Sequence, residues 1–207
     1  MPSNPGSFIR KILPTAHRVL VEKIIREELV KVRGRVLVIG AGHNPYASFL
    51  SGAASVIVSD ISDEYGKVDQ IVDAHVLPYG ESCFDAIIAI EVVEHLESPA
   101  TASREFYRVL KKGGRVISSI PFMFHIHGDP HDYQRLSRQG LLNLFSNYQA
   151  TRVSEIGGRL AVISDIVTTG SNCLIPLRIL NNIFYLPILR NSCSSDCPSG
   201  YWIEAVK

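Results

Sequence analysis

Tryptophan occurs once, methionine twice and cysteine four times in these 207 residues, and neither sign of charge prevails. The four cysteines, Cys83, Cys173, Cys193 and Cys197, are too few and too scattered for the disulfide framework of a small secreted scaffold. Cys193 and Cys197 have no second pair at ligand spacing, which argues against a structural zinc site. A formal net charge of +1 leaves no electrostatic footprint for nucleic acid or an anionic membrane surface. No run of about 20 apolar residues exists, so no spanning helix is expected. The longest apolar stretch, Leu174 to Leu189, is interrupted by Arg178, Asn181 and Asn182. The opening segment MPSNPGSFIRKILP lacks the apolar centre of a signal peptide. These absences lead to the expectation of a soluble protein of a reducing compartment, the cytoplasm. What is abundant is apolar: 46% hydrophobic residues against 20% charged suits one globular core.

The chain divides into a lead-in and helix over 1–33 and a single domain over 34–207. Val21, Ile25, Leu29 and Val32 recur at helical spacing with Gly34 as the stop, which predicts a helix over 15–32. RVLVIG (35–40), SVIVSD (55–60), DQIVDA (69–74), FDAIIAIE (84–91) and GRVISSIP (114–121) are short, β-branched apolar runs of the kind buried on both faces of a parallel sheet. A short helix is expected near Pro45 to Gly52. A longer one begins at Ser98-Pro99, carries Ala102, Phe106, Val109 and Leu110 on one stripe, and closes on Lys111, Lys112 and Gly113. Further on, the pattern predicts a capped helix over 137–145, a sixth strand over 149–156, one or two helices within 159–190 and a closing strand in 198–207. Strands alternating with helices predict an α/β fold: a doubly wound, mostly parallel seven-stranded sheet with helices on both faces.

The chemistry gathers where strands end. Gly40-Ala41-Gly42 follows the first strand, and glycines there allow a sharp turn and close approach of a ligand. Asp60 ends the second strand, where a carboxylate can accept hydrogen bonds from the paired hydroxyls of a ribose. Taken alone, each has a plainer reading as a tight turn or a helix cap. The third strand ends in Asp73-Ala74 and the fourth in Glu91, followed by VVEHL.

In order and spacing, VLVIGAG, VSDIS, VDAHVLPYGESCFDAIIAIEVVEHL and EFYRVLKKGGRVISSIP resemble the class I S-adenosylmethionine-dependent methyltransferases, in the subgroup often called type 11. The resemblance runs from about Arg35 to Phe145. It implies a Rossmann-like methyltransferase fold and S-adenosyl-L-methionine as cofactor. It further implies that Gly40 and Gly42 border the methionine part, Asp60 holds the ribose hydroxyls, and Ile61 lies against adenine. Asp73 would bond the adenine amino group with Ala74 beside the ring, and Glu91 would face the methionine end and the acceptor cleft. Asp85, at the start of its strand, reads as structural. Two positions depart from the family pattern: Val38 stands where an acid is usual, and Asn44 where a third glycine is frequent. A member that binds the cofactor without turnover therefore stays open. So does a nicotinamide-dependent oxidoreductase, although Pro45 falls where a dinucleotide turn needs its third glycine.

The segment after the fifth strand, PFMFHIHGDPHDYQR (121–135), concentrates titratable groups in a turn. Similar loops occur in glycan-modifying type 11 methyltransferases, which makes His127 or His131 a candidate base for an acceptor hydroxyl or amine. A metal site built from the His-x-His-x-Asp-x-His pattern is a weaker reading, and no metal is expected. A local capping network of Asp132 with Arg135 is the structural alternative. The acceptor is expected to be a small molecule or a glycan, methylated on oxygen or nitrogen, with no nucleic acid partner. The apolar 174–189 stretch is expected to cover the sheet; a lipidic acceptor site or a homodimer surface there stays open.

Overall fold

A computed structural model describes residues 14–42, 46–64, 66–127, 131–169, 180 and 196–207. Most of the lead-in, Asn44, Asp129, Cys173, Cys193 and all of 174–189 except Leu180 lie outside the described residues. Among those described, the chain forms two compact units. The larger comprises Ile25–Ile120, His127–Ser154 and Tyr201–Lys207; the smaller takes in 14–24, Pro121–Ile126 and the described part of Glu155–Gly200. No described helix is long and apolar enough to cross a membrane.

The larger unit is built on a seven-stranded sheet. In chain order the strands are β1 (Gly34–Val38), β2 (Ala53–Asp60), β3 (Gln70–Ile71), β4 (Phe84–Ile90), β5 (Leu110–Pro121), β6 (Ala150–Ile156) and β7 (Gly200–Val206). In space they run β3-β2-β1-β4-β5-β7-β6. The β1–β2, β2–β3, β1–β4 and β4–β5 pairs are parallel. Because β1 to β3 step one way and β4 to β5 the other, right-handed crossovers fall on opposite faces. β7 runs antiparallel to both neighbours: across β5–β7 the Gly113 N–H donates to Lys207 O and the Lys207 N–H to Gly114 O, and the Gln149 N–H reaches Val206 O across β6–β7. This is the doubly wound, mostly parallel sheet that the sequence predicts. Val36, Leu37 and Val38 of β1 and Ala86 to Ala89 of β4 are buried, as central strands covered on both faces must be.

The helices are α1 (Ala16–Glu28), α2 (Pro99–Val109), α3 (Arg138–Leu144) and α4 (Arg159–Thr169). α3 is capped by Ser137, whose hydroxyl accepts the Gly140 N–H at 3.3 Å. α2 begins with Pro99 after Ser98, but the Ser98 hydroxyl meets the Thr101 hydroxyl at 2.9 Å instead of capping the backbone. In the smaller unit the N-terminus of α1 rests on Asp165, a buried residue of α4 that accepts the Ala16 N–H at 2.6 Å and the His17 N–H at 2.9 Å.

Three local expectations are corrected. α2 stops at Val109 and β5 starts at Leu110, so Lys111 to Gly113 belong to the strand and not to a helix end. The cause is Asp85, which takes the Lys111 ammonium at 2.8 Å and draws the chain alongside β4. The third strand shrinks to two residues because Asp69 turns its side chain back to accept the Val58 N–H at 2.8 Å. Between Pro45 and Gly52 the described residues form only a 3-10 turn, Ala47–Phe49.

Candidate active site

Strand register carries the four expected positions to one edge of the sheet. Val38 of β1 lies level with Val58 of β2 and Ile88 of β4, and Asp60 lies level with Ile71 of β3. Gly40, Asp60, Asp73 and Glu91 therefore follow the carboxyl ends of four adjacent strands, the edge where open α/β sheets bind ligands.

The glycine turn needs its glycines. Gly40 and Gly42 have φ of +66° and +49°, in the left-handed region. A Cβ on Gly40 would stand 2.3 Å from Val92 Cγ2, whereas one on Gly42 would meet nothing within 4 Å among the described residues. The first glycine is thus a packing requirement, while the second is required by its left-handed backbone. The Gly42 N–H donates to Asp60 Oδ2 at 2.7 Å, and the Ala41 N–H to Ser59 O at 3.1 Å, so the turn is fastened to the end of β2. The other Asp60 oxygen accepts only a long bond, 3.4 Å, from the Ser62 N–H. Ile61 is exposed. Val38, where an acid was the usual residue, is buried in the sheet.

Asp73 accepts both the backbone N–H of His75 at 2.8 Å and its ring Nδ1 at 2.7 Å. The backbone bond, with the imidazole behind it, holds the Asp73 carboxyl below its usual range. Since Nδ1 donates to Asp73, His75 Nε2 is left to accept the Ser98 N–H at 3.2 Å. Ala74 is buried beside this turn. Asp85 stays at the opposite end of β4, where it accepts the Arg35 N–H at 2.8 Å as well as the Lys111 ammonium. The structural reading of Asp85 fits that placement.

Glu91 is a non-glycine residue at φ +54°, a conformation that costs on the order of 1–3 kcal/mol and collects at functional sites. Its N–H donates to Ser119 O at 3.1 Å and its carboxylate accepts the Ser119 hydroxyl at 2.5 Å. The chain then enters a 3-10 turn, Val93–His95, that tucks Glu94 into the interior at 0% exposure. Among the described residues neither Glu94 carboxylate oxygen has a hydrogen-bond partner. Burial, reinforced by the charge of Glu91, pushes the Glu94 carboxyl well above the usual range.

The loop after β5 folds over this turn. The Tyr133 N–H donates to Glu94 O at 2.8 Å, and the Gln134 amide reaches Val93 O and Leu96 O at 3.3 and 3.1 Å. His127 comes to rest with Nε2 3.9 Å from Glu94 Oε1 and Nδ1 3.5 Å from Asp132 Oδ2. Asp132 also accepts the His127 N–H at 3.0 Å and is gripped by both terminal nitrogens of Arg135. Burial alone would raise the Asp132 carboxyl, but Arg135 and the His127 N–H outweigh it and bring it below its usual range.

The two imidazoles proposed as bases separate. His127 joins the buried carboxylate, while the His131 ring lies exposed against Tyr133 and its carbonyl, not its ring, does the bonding: it accepts from His95 Nδ1 at 2.5 Å. His125 is exposed and packs on Phe124. The sequence reading passed over Glu94 as a site residue and treated Asp132 only as part of a capping pair. The signal for Glu94 was present: it is a second acid three residues after Glu91, with only Val92 and Val93 between them. A separate depression of about 350 Å³ is lined by Ser103, Arg104, Tyr107, Asn147 and Tyr148 and contains none of the strand-end residues.

Comparison with known proteins agrees with this architecture. A family model described as a methyltransferase domain, of the type 11 group, matches residues 37–118. Among solved structures, a SAM-dependent methyltransferase from Archaeoglobus fulgidus superposes with a TM-score of 0.63 at 18% identity, covering 99% of this chain and 100% of that one. The YcgJ protein from Bacillus subtilis gives 0.56 at 18% identity, covering 92% and 99%. The [4+2]-cyclase SpnF gives 0.58 at 20% identity, covering 92% and 80%. Identities this low show a shared fold. That a cyclase shares it means the acceptor chemistry must be argued from the site itself.

Proposed function

We propose that this class I S-adenosylmethionine-dependent methyltransferase, of the type 11 kind, methylates an oxygen or nitrogen of a small-molecule or glycan acceptor, with His127 receiving the acceptor's proton. The observation that carries the proposal is the Asp132–His127–Glu94 array, set directly after the strained end of β4.

The strand-end residues fit the cofactor. Among the described residues nothing lies within 4 Å of a Cβ built on Gly42, and Asp60 keeps acceptor capacity after bonding the Gly42 N–H. In this reading Gly40 and Gly42 border the methionine part, Asp60 holds the ribose hydroxyls with Ile61 over the adenine, Asp73 and Ala74 bound the adenine, and Glu91 faces the methionine end. When bound, S-adenosylmethionine supplies a methyl group already activated by a positive sulfur. The chain's own task is then to align the acceptor, exclude water and manage one proton. Asp132 orients the imidazole of His127, and a His127 made positive by proton uptake would stand beside the Glu94 carboxylate.

The test is a tritiated-methyl screen across sugars, small metabolites, lipids, proteins and nucleic acids, run with the unaltered chain and with His127→Ala. Labelling of a hydroxyl- or amine-bearing small acceptor is expected, with kcat about 10²- to 10⁴-fold lower in the variant. His131→Ala should stay within about threefold, because the His131 ring lies exposed against Tyr133 and its carbonyl, which the variant keeps, makes the bond to His95. Equal labelling by unaltered chain and His127→Ala would remove His127 from its role. Tight binding of S-adenosylhomocysteine with no labelled acceptor in any class would favour a protein that binds without turnover.

A further inference from the structure

We infer that Glu94, His95 and His127 form a binding site for one divalent transition-metal ion at the acceptor end of the cleft. Each offers one ligand atom, and the three atoms lie within 4.8 Å of one another. The ring Nε2 atoms of His95 and His127 both face Glu94 Oε1, at 3.6 and 3.9 Å. Ligands held about 2.0–2.1 Å from a tetrahedral ion stand roughly 3.3–3.5 Å from each other; Glu94 already stands within a few tenths of an ångström of that spacing from each ring, and the two rings, no more than 4.8 Å apart, would close on the ion by side-chain rotation.

Two further observations point to an ion. Glu94 is wholly buried, and neither of its carboxylate oxygens has a hydrogen-bond partner among the described residues. Burying an unpaired carboxylate is costly unless a cation or proton compensates it. Second, both imidazoles are held by their far nitrogen. His95 Nδ1 must donate to the His131 carbonyl at 2.5 Å, since a carbonyl cannot donate. His127 Nδ1 faces the Asp132 carboxylate, itself fixed by Arg135. In both rings Nδ1 faces an outer carbonyl or carboxylate while Nε2 faces Glu94, the orientation that such outer groups impose on metal-ligating histidines.

Two imidazoles and one carboxylate favour zinc or manganese over magnesium, which prefers an all-oxygen shell. Three protein ligands leave a coordination position open, as catalytic sites do. The inference rests on the proposed methyl transfer for one point only, the occupant of that position, which is a hydroxyl oxygen of the acceptor. An ion there would use the Nε2 lone pair of His127, so His127 would not also be the base: the ion would make the acceptor hydroxyl more acidic, and its proton would pass to solvent.

The experiment uses the full chain stripped with chelator and dialysed. Manganese binding is followed by electron paramagnetic resonance, cobalt by its visible absorption, and zinc by calorimetry. One ion per chain is expected, at least tenfold weaker in His95→Ala, His127→Ala and Glu94→Gln. Binding of S-adenosylhomocysteine within threefold of the unaltered chain shows that each variant is folded. Failure of the stripped chain to bind any of the three ions overturns the site, as does binding that all three substitutions leave unchanged. Activity lost in chelator and restored by manganese or zinc supports the open position as the acceptor's, while undiminished transfer in chelator overturns that assignment and leaves His127 as a base. Ion binding without S-adenosylhomocysteine binding would sink the transferase reading and leave the metal site standing.

Discussion

Replacing Asp60 with asparagine isolates the bond on which cofactor recognition turns. The carboxylate has about four lone-pair directions. One is used by the Gly42 N–H at 2.7 Å and another weakly by the Ser62 N–H at 3.4 Å, which leaves capacity for two ribose hydroxyls. Asparagine can still accept from Gly42, so the turn stays fastened and the free protein should lose less than about 1 kcal/mol. Its amide nitrogen, however, cannot accept a hydroxyl and would face the Ser62 N–H donor to donor. Hydrogen bonds to a charged group contribute about 1.5–3 kcal/mol each. Losing one and weakening another gives about 2–4 kcal/mol, a roughly 30- to 800-fold rise in Kd for S-adenosylhomocysteine. Calorimetry reads this directly. A thermal shift gives an independent measure: ligand at 100 times Kd stabilises by about 2.7 kcal/mol. At about 2–4 °C per kcal/mol for a chain of this size, that is a shift of roughly 5–11 °C, most of it absent in the variant. A Kd within threefold of the unaltered chain, with the free protein's midpoint unmoved, would refute the ribose assignment.

Gly40→Ala should cost about 2–4 kcal/mol, from the left-handed backbone and from the Cβ driven against Val92, and Val92→Ala in the same chain should return more than about 1 kcal/mol of it. Urea unfolding of the four proteins of that cycle measures the coupling, and additive effects would show that the contact does not bind. Asp165→Ala strips two buried N–H donors of α1 of their acceptor. It should lower stability by about 3 kcal/mol and the thermal midpoint by roughly 6–12 °C; a fall under about 2 °C would mean another group caps α1. The Asp85 carboxyl is held below its usual range by the Lys111 ammonium first and the Arg35 N–H second. A lowered acid contributes stability that is present above its unfolded pKa and lost as pH falls through the folded one. Asp85→Asn should therefore flatten the acid limb of a stability-versus-pH curve, by less than about 1 kcal/mol because the pair is more than a third exposed. An acid limb of unchanged steepness would show that the pair is not part of it.

The strands were legible because each is a local event: a β-branched run closed by Gly40, Asp60, Glu91 or Pro121. The glycine turn was legible for the same reason, since backbone conformation is demanded within a few residues. What escaped the sequence depends on partners far along the chain. β5 begins at Leu110 because Lys111 finds Asp85, 26 residues earlier. α1 starts where it does on an acid 149 residues away. The Glu94–His127 cluster joins a turn to a loop 33 positions later, and no spacing rule reaches that distance. The histidine-rich segment drew attention as a composition, but composition could not tell that His127 would turn its ring to Glu94 while His131 would contribute a carbonyl.

The place of β7 bears on how the sheet is put together. Following every other described strand in the sequence, it nonetheless lies between β5 and β6, and among the described residues β6 has no other neighbour in the sheet. During synthesis the five strands from β3 to β5 can zip up as they emerge. β6 must instead wait with its backbone donors and acceptors unmet until 200–206 arrives to be the wedge. Assembly is thus split into an early half that carries the cofactor edge and a late half closed by its final strand. A chain cut just before Gly200 would strand β6 as a loose, pairing-competent edge, the form most prone to join another molecule.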